Sequence, residues 1–178
     1  MIVYAQGDIT KFDVDAIVNA SNGFGYMGGK RCVNELHRGV AESIQFASCG
    51  AVERLARAKC KAHSFFGYSP GTVFVTDAPN LECKKIIHAV TMRTPGSKAK
   101  IKKIKVLIPK IVAVAENLNI NSVAIPLLGC GTGGLDRKTV QNLLAHNLIS
   151  DKVPRLLSNS HRYPAWKPLS NILRAFLH

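Results

Sequence analysis

Residues 122–134 read SVAIPLLGCGTGG. The opening SVAIP (122–126) is a short apolar, β-branched run, the pattern of a buried strand, and it passes directly into a glycine-rich loop. Asp136 then precedes Val140, Leu143 and Leu144 at helical spacing. The order strand, glycine loop, helix occurs a second time nearer the N-terminus. AIVNA (16–20) is a buried run, NGFGYMGGK (22–30) is a loop without periodicity, and from Arg31 the residues Cys32, Val33, Leu36 and Val40 fall at helical spacing, interrupted by Gly39. In an α/β sheet, two such units place both loops at the carboxyl ends of the strands, where ligands bind.

The rest of the chain supports this reading. IVYA (2–5) alternates weakly and predicts a first strand. Residues 51–62 predict a helix with Val52, Leu55 and Ala56 on one face. GTVFVT (71–76) and KKIIHAV (84–90) predict strands, the first entered from a Ser69-Pro70 turn. Ser97 is a candidate N-cap for a long helix carrying Ile101, Ile104, Ile108, Ile111, Val112, Ala115 and Leu118 on one face, and Pro109 is expected to kink it. Strands alternating with helices predict a three-layer α/β domain with a mixed or mostly parallel sheet over residues 1–150. Residues 151–178 read as an atypical C-terminal extension with no good strand. Leu169, Ile172, Leu173 and Phe176 suggest a terminal amphipathic helix.

At 178 residues and 47% hydrophobic content the chain suits one folded domain. No apolar run reaches the roughly 18 residues of a membrane span, so no membrane partner is expected. The start MIVYAQGDIT shows no secretory signal. Five cysteines without CxxC spacing predict reduced thiols and a cytoplasmic setting, or a nuclear one in a eukaryote. Neither cysteines nor histidines show ligand spacing, so neither metal nor cofactor is expected. The net charge of +13 favours phosphate-bearing partners, nucleic acid included, although a merely solvated basic surface reads the same way. With 7% aromatic residues and no aromatic-interleaved basic strand, the sequence offers little stacking surface for nucleic acid.

The two loops carry the chemistry. Glycines let a backbone approach a ligand closely and turn its N–H groups toward an anion, and a following helix N-terminus adds partial positive charge. Neither loop has Walker or GxGxxG spacing, so the pair points to a diphosphate clamp of another kind. Asn19 and Asn22 flank the end of the second predicted strand. Their amides suit sugar hydroxyls, or alternatively an Asx turn. Asp8 in GDIT suits an exocyclic amine, or a turn cap.

GDIT (7–10), DAIVNASN (15–22), GTVFVT (71–76), KIIHAV (85–90) and SVAIPLLGCGTGG (122–134), in this order, resemble the macro domains, modules that bind ADP-ribose. The match covers about residues 1–146. It implies an α/β/α sandwich with a mixed sheet, and ADP-ribose, free or attached to a macromolecule, as the partner. By that resemblance Asp8, helped by the Ile9 N–H, takes the adenine amine, and Asn22 the distal ribose. Gly28 and Gly29 form the first loop, and Gly129, Cys130, Gly131, Thr132, Gly133, Gly134 and Leu135 wrap the diphosphate. MGGK and GCGTGG are most similar to the branch containing the terminal ADP-ribose glycohydrolases and the DNA-ADP-ribosyl antitoxins. That branch implies hydrolysis by a lysine shortly after the KIIHAV-like strand, a position held here by Met92. Its aspartate falls near Gly133, with Asp136 close by. Lys30 and Asp136 are therefore the candidate catalytic residues, and Cys130 reads as a small loop residue. Three readings follow: an ADP-ribose-binding module, an ADP-ribosyl hydrolase acting on protein or nucleic acid, and a basic nucleic-acid-binding domain.

Overall fold

The computed structural model describes residues 4–28 and 39–148. After a single 3-10 turn (Ile9–Lys11) come β1 (Ala16–Asn22), α1 (Val40–Ala47), α2 (Ala51–His63), β2 (Val73–Asp77), β3 (Lys85–Met92), α3 (Ile101–Asn117), β4 (Val123–Ala124) and α4 (Arg137–Asn147). The four strands form one mixed sheet in the order β2-β3-β1-β4. Strand β1 runs parallel to both β3 and β4, and β2 is antiparallel to β3. Helices α1 and α2 pack on each other and on β1 and β2; α3 packs on β3 and on α4. The result is an α/β/α sandwich.

Asp15 sets the register of the parallel strands. Its carboxylate accepts from Lys84 Nζ at 2.8 Å, Asn121 N–H at 3.0 Å and Ser122 N–H at 3.1 Å. Its carbonyl accepts from Lys84 N–H at 2.8 Å, and its own N–H donates to Ser122 Oγ at 2.8 Å. Partial burial pushes this carboxyl up. The Lys84 ammonium, the Asn121 N–H and the Ser122 hydroxyl outweigh burial and hold it below the usual aspartate range.

The runs AIVNA and KIIHAV lack alternation because both faces of β1 and β3 are covered. On one face α2 lays Ala56 and Cys60 over Phe74 and Val90. On the other, α3 buries Ile104, Leu107, Ile108, Ile111 and Ala115.

A column of stacked rings runs through the first face. His63 stacks on Tyr68 with centroids 3.9 Å apart, Tyr68 on Phe74 at 4.6 Å, and Phe74 on His88 at 4.5 Å. His88 is fully buried. Its Nδ1 lies 3.3 Å from Asn19 Nδ2, and its Nε2 lies 3.0 Å from Thr76 Oγ1. With Asn19 donating, the neutral ring carries its proton on Nε2 and donates to Thr76.

Several expectations are revised. Tyr4 and Ala5 carry no strand, while the other residues of that predicted strand lie outside the described ones. Ser97 does not cap α3. Its hydroxyl accepts from the Thr94 N–H at 3.3 Å, and the helix begins after Lys100. Helix α3 spans Pro109 as expected, with the proline on its exposed side, where water can reach the Lys105 carbonyl left without a donor. The helix expected from Arg31, apart from Val40, and the whole extension 151–178 lie outside the described residues.

Burial, reinforced by the charge of Lys59, pushes His88 down to about 3. The unfolded chain binds a proton at this residue below pH 6.5 or so, and the folded chain does not until near pH 3. Stability present above that range is therefore lost as pH falls, at up to about 1.4 kcal/mol per pH unit. Denaturant unfolding between pH 7 and 5 is expected to show this loss. In His88→Gln the pH dependence over that interval should flatten, even though the variant starts less stable.

Candidate functional site

All three parallel strands end on one edge of the sheet. There the loops after β1, β3 and β4 enclose a cleft of about 350 Å³. Its walls come from Asn22 and Tyr26–Gly28, from Gly39–Glu42 at the start of α1, from Thr91 and Met92, and from the segment Pro126–Gly133 with Arg137.

Asn22 builds the first loop. Its Oδ1 accepts from Phe24 N–H at 3.1 Å and Tyr26 N–H at 3.2 Å, and its Nδ2 donates to the Tyr26 carbonyl at 2.6 Å. The Met27 N–H donates to Glu53 Oε2 at 2.8 Å. Asn22 thus lines the cleft while its amide folds the loop, the Asx geometry that its position allowed. Gly28 lines the cleft at φ 75, where Glu42 Oε1 would lie 3.0 Å from any Cβ. Gly29 and Lys30 lie outside the described residues.

The second loop is pinned by its own backbone. The Cys130 N–H donates to Leu127 O at 3.1 Å, Gly134 N–H to Gly131 O at 2.9 Å, Leu135 N–H to Gly129 O at 3.0 Å, and Ala99 N–H to Gly133 O at 3.0 Å. Among the described residues the N–H groups of Gly131, Thr132 and Gly133 have no backbone acceptor, and all three residues line the cleft. Successive free N–H groups beside a helix N-terminus make a concavity suited to an anion. Arg137, first residue of α4, adds a full positive charge to the same wall.

The other expected site residues are placed differently. Asn19 is fully buried against His88 and does not line the cleft. Asp8 and Ile9 do not line it either. Asp8 Oδ1 caps the 3-10 turn by accepting from Thr10 N–H at 3.0 Å and Thr10 Oγ1 at 2.8 Å, which leaves Oδ2 without a partner among the described residues. Asp136 Oδ2 caps α4, accepting from Thr139 N–H at 2.8 Å and Thr139 Oγ1 at 2.7 Å, and the same bonds hold its carboxyl below the usual range. It is committed to the helix terminus, outside the cleft wall. Burial pushes the Cys130 thiol up to about 11, so it is protonated at neutral pH and is not a thiolate nucleophile. Met92 does line the cleft. Sequence reasoning missed Tyr26, Glu42 and Arg137 there. For Arg137 the available signal was its place directly after the second loop.

A model of the macro-domain family matches residues 18–144. The chain belongs to the macro-domain family. Among its relatives is the DNA ADP-ribosyl glycohydrolase of Mycobacterium tuberculosis, 33% identical over 145 residues, covering 81% of this chain and 38% of that protein. The O-acetyl-ADP-ribose deacetylase of Cronobacter turicensis is 30% identical over 158 residues, covering 84% and 79%. The solved macrodomain of Mycobacterium tuberculosis DarG superposes with a TM-score of 0.72 at 28% identity, covering 90% of this chain and 99% of that one. This macro domain therefore shares its fold with the solved mycobacterial macrodomain.

Two loop glycines are expected to behave oppositely. A Cβ on Gly133 would lie 2.5 Å from the Gly129 carbonyl oxygen and 2.7 Å from Ala99 Cβ, whereas one on Gly131 would meet nothing within 4 Å. Gly133→Ala should cost roughly 1–3 kcal/mol of stability through overpacking. Gly131→Val should leave the denaturation midpoint unchanged. Asp136→Ala should cost about 1 kcal/mol by removing the α4 cap, measured the same way.

Proposed function

We propose that this macro domain binds ADP-ribose, free or attached to a macromolecule, in the cleft between the two glycine loops. The observation that carries the reading is the run Gly131, Thr132 and Gly133, which lines that cleft and whose N–H groups have no backbone acceptor among the described residues. These groups, with Arg137, suit a diphosphate. On this reading Asp8 Oδ2 receives the adenine amine and the first loop meets the distal ribose. The names of the mycobacterial relative, a DNA ADP-ribosyl glycohydrolase, and of the Cronobacter relative, an O-acetyl-ADP-ribose deacetylase, support the ligand class.

Hydrolysis is the second reading, favoured by those same names. Its chemistry needs a group at the distal ribose that can attack or move a proton. Met92 supplies neither. The carboxylate lining the cleft among the described residues is that of Glu42, which lies close over Gly28 and Gly39. Lys30 and Asp136 stay the sequence-derived candidates, and positioning alone gives modest rates.

Calorimetry should show saturable ADP-ribose binding with AMP weaker, because the clamp needs both phosphates. Gly131→Val should abolish the heat in a folded protein, and Asp8→Ala should weaken binding by roughly 1.5–3 kcal/mol. A wild type silent at millimolar ADP-ribose overturns the reading. For hydrolysis, release of ADP-ribose from modified DNA and protein should be undetectable in wild type and appear in Met92→Lys. Wild-type turnover lost in Lys30→Ala or Asp136→Ala would establish the second reading instead.

A further inference from the structure

The turn from α2 into β2, HSFFGY (63–68), displays two phenylalanines to solvent. Phe65 is 90% exposed and Phe66 65%, and their rings meet edge to face at 5.3 Å. Neither ring contributes to the core, so folding gives no reason for them. The turn that carries them is fixed: Gly67 N–H donates to Ser64 O at 3.0 Å, Ser64 Oγ to Gly67 O at 3.0 Å, and Tyr68 N–H to Gly23 O at 2.8 Å. That last bond joins the turn to the first glycine loop, whose exposed Tyr26 lines the cleft.

Basic residues occur on the elements that flank this turn. The Arg57 guanidinium lies 4.2 Å over the Tyr26 ring, and its Nη2 donates to Tyr26 Oη at 3.2 Å. Lys61 follows one helical turn later on the same face of α2. On the other side Arg93, next after Met92, donates to Ser69 Oγ at 3.4 Å. No aspartate or glutamate occurs from Arg54 to Thr76. The nearest carboxylate, Glu53, is taken up by the Met27 N–H and by Arg57 at 3.8 Å. Exposed aromatic faces on a fixed turn, flanked by segments in which cations outnumber carboxylates, match the two requirements of single-strand binding: platforms for bases and charge for phosphates.

We infer that this rim binds single-stranded nucleic acid, with bases stacked on Phe65 and Phe66 and phosphates at Arg57, Lys61 and Arg93. The Ser64 hydroxyl bonds within the turn and that of Ser69 accepts from Arg93, so stacking and charge rather than the ribose carry the recognition, and DNA and RNA are expected to be held alike. The low aromatic content of the sequence understated this surface, because two adjacent rings exposed on one turn suffice for a stacking platform. The inference uses residues outside the diphosphate clamp and stands or falls apart from the ADP-ribose reading.

The test is fluorescence anisotropy with labelled 15-nucleotide oligo-dT and oligo-U and a 15-base-pair duplex, on wild type and on the double variant Phe65→Ala/Phe66→Ala. Both single strands should bind, the duplex at least tenfold more weakly, and log K should fall with log salt at a slope of about −2 for three phosphate contacts. The double variant should lose about tenfold or more for single strands while its ADP-ribose heat and unfolding midpoint stay unchanged. Equal binding of duplex and single strand, or an unchanged double variant, overturns the inference and leaves a merely basic surface. Sedimentation showing a wild-type dimer that the double variant loses, without an effect on oligonucleotides, assigns the phenylalanines to self-association and overturns it as well. A silent ADP-ribose titration beside intact single-strand binding removes the cleft reading alone.

Discussion

The cleft depends on one residue at the opposite edge of the sheet. Asp15 stands immediately before β1 and bonds to the residues that open β3 and β4. Through its side chain, carbonyl and N–H it fixes where three parallel strands begin. Strands of fixed geometry that begin together deliver their ends together, so Asn22, Met92 and the Pro126–Gly133 segment arrive around one cavity. The ion pair with Lys84 contributes little to this, since that ammonium is 77% exposed and screened by water. The decisive partners are the backbone N–H groups of Asn121 and Ser122. Without Asp15 these donors, at the mouth of a two-residue strand, would have only water to bond.

The second loop applies the same economy in a smaller space. It folds back so tightly that Gly133 has no room for a side chain, and Gly129 takes φ 79. The bonds from Cys130, Gly134 and Leu135 use the donors that point inward. Those of Gly131, Thr132 and Gly133 are left to the cleft. An anion entering there meets donors already held in place, which removes most of the ordering cost of binding. The Asp136 cap on α4 completes the arrangement by fixing the helix whose first residue is Arg137.

Much of this was legible in the sequence, for physical reasons that can be named. Strands buried on both faces read as unbroken apolar runs, so β1, β3 and β4 were visible along with the loops that follow them. The side-chain roles were less visible. Asn19 and Asn22 look like a pair, but three residues apart on a strand they face opposite sides. Asn19 passes under α2 to His88, and a register shift between Ser21 and Asn22 turns the latter toward its loop. Asp8 and Asp136 each precede a threonine by two or three residues, the spacing of a cap, and both act as caps here. Ser97 misled because Thr94 offered a nearer partner. Glu42 gave no signal, since only the closed cleft reveals which residues of a helix's first turn face it, whereas Arg137 was marked only by its place directly after the second loop.

The two surfaces at this end of the molecule recognise chemistry by different means. Within the cleft, Glu42 and Arg137 bring one negative and one positive side chain, so their formal charges cancel. Selectivity for a diphosphate must then come mainly from main-chain donors, which substitution can alter only by changing the glycine geometry. The +13 of the whole chain acts from outside, raising the local concentration of any phosphate-bearing ligand without specifying it. On the rim the recognising groups are side chains, Phe65, Phe66 and their flanking cations, on a turn that the fold holds but does not bury. A change of partner there would leave the cleft intact. Tyr26 alone lies in both, lining the cleft and carrying the Arg57 guanidinium on its ring. A ligand that moves this ring would disturb both surfaces, alongside the Tyr68–Gly23 bond that also joins the turn to the first loop.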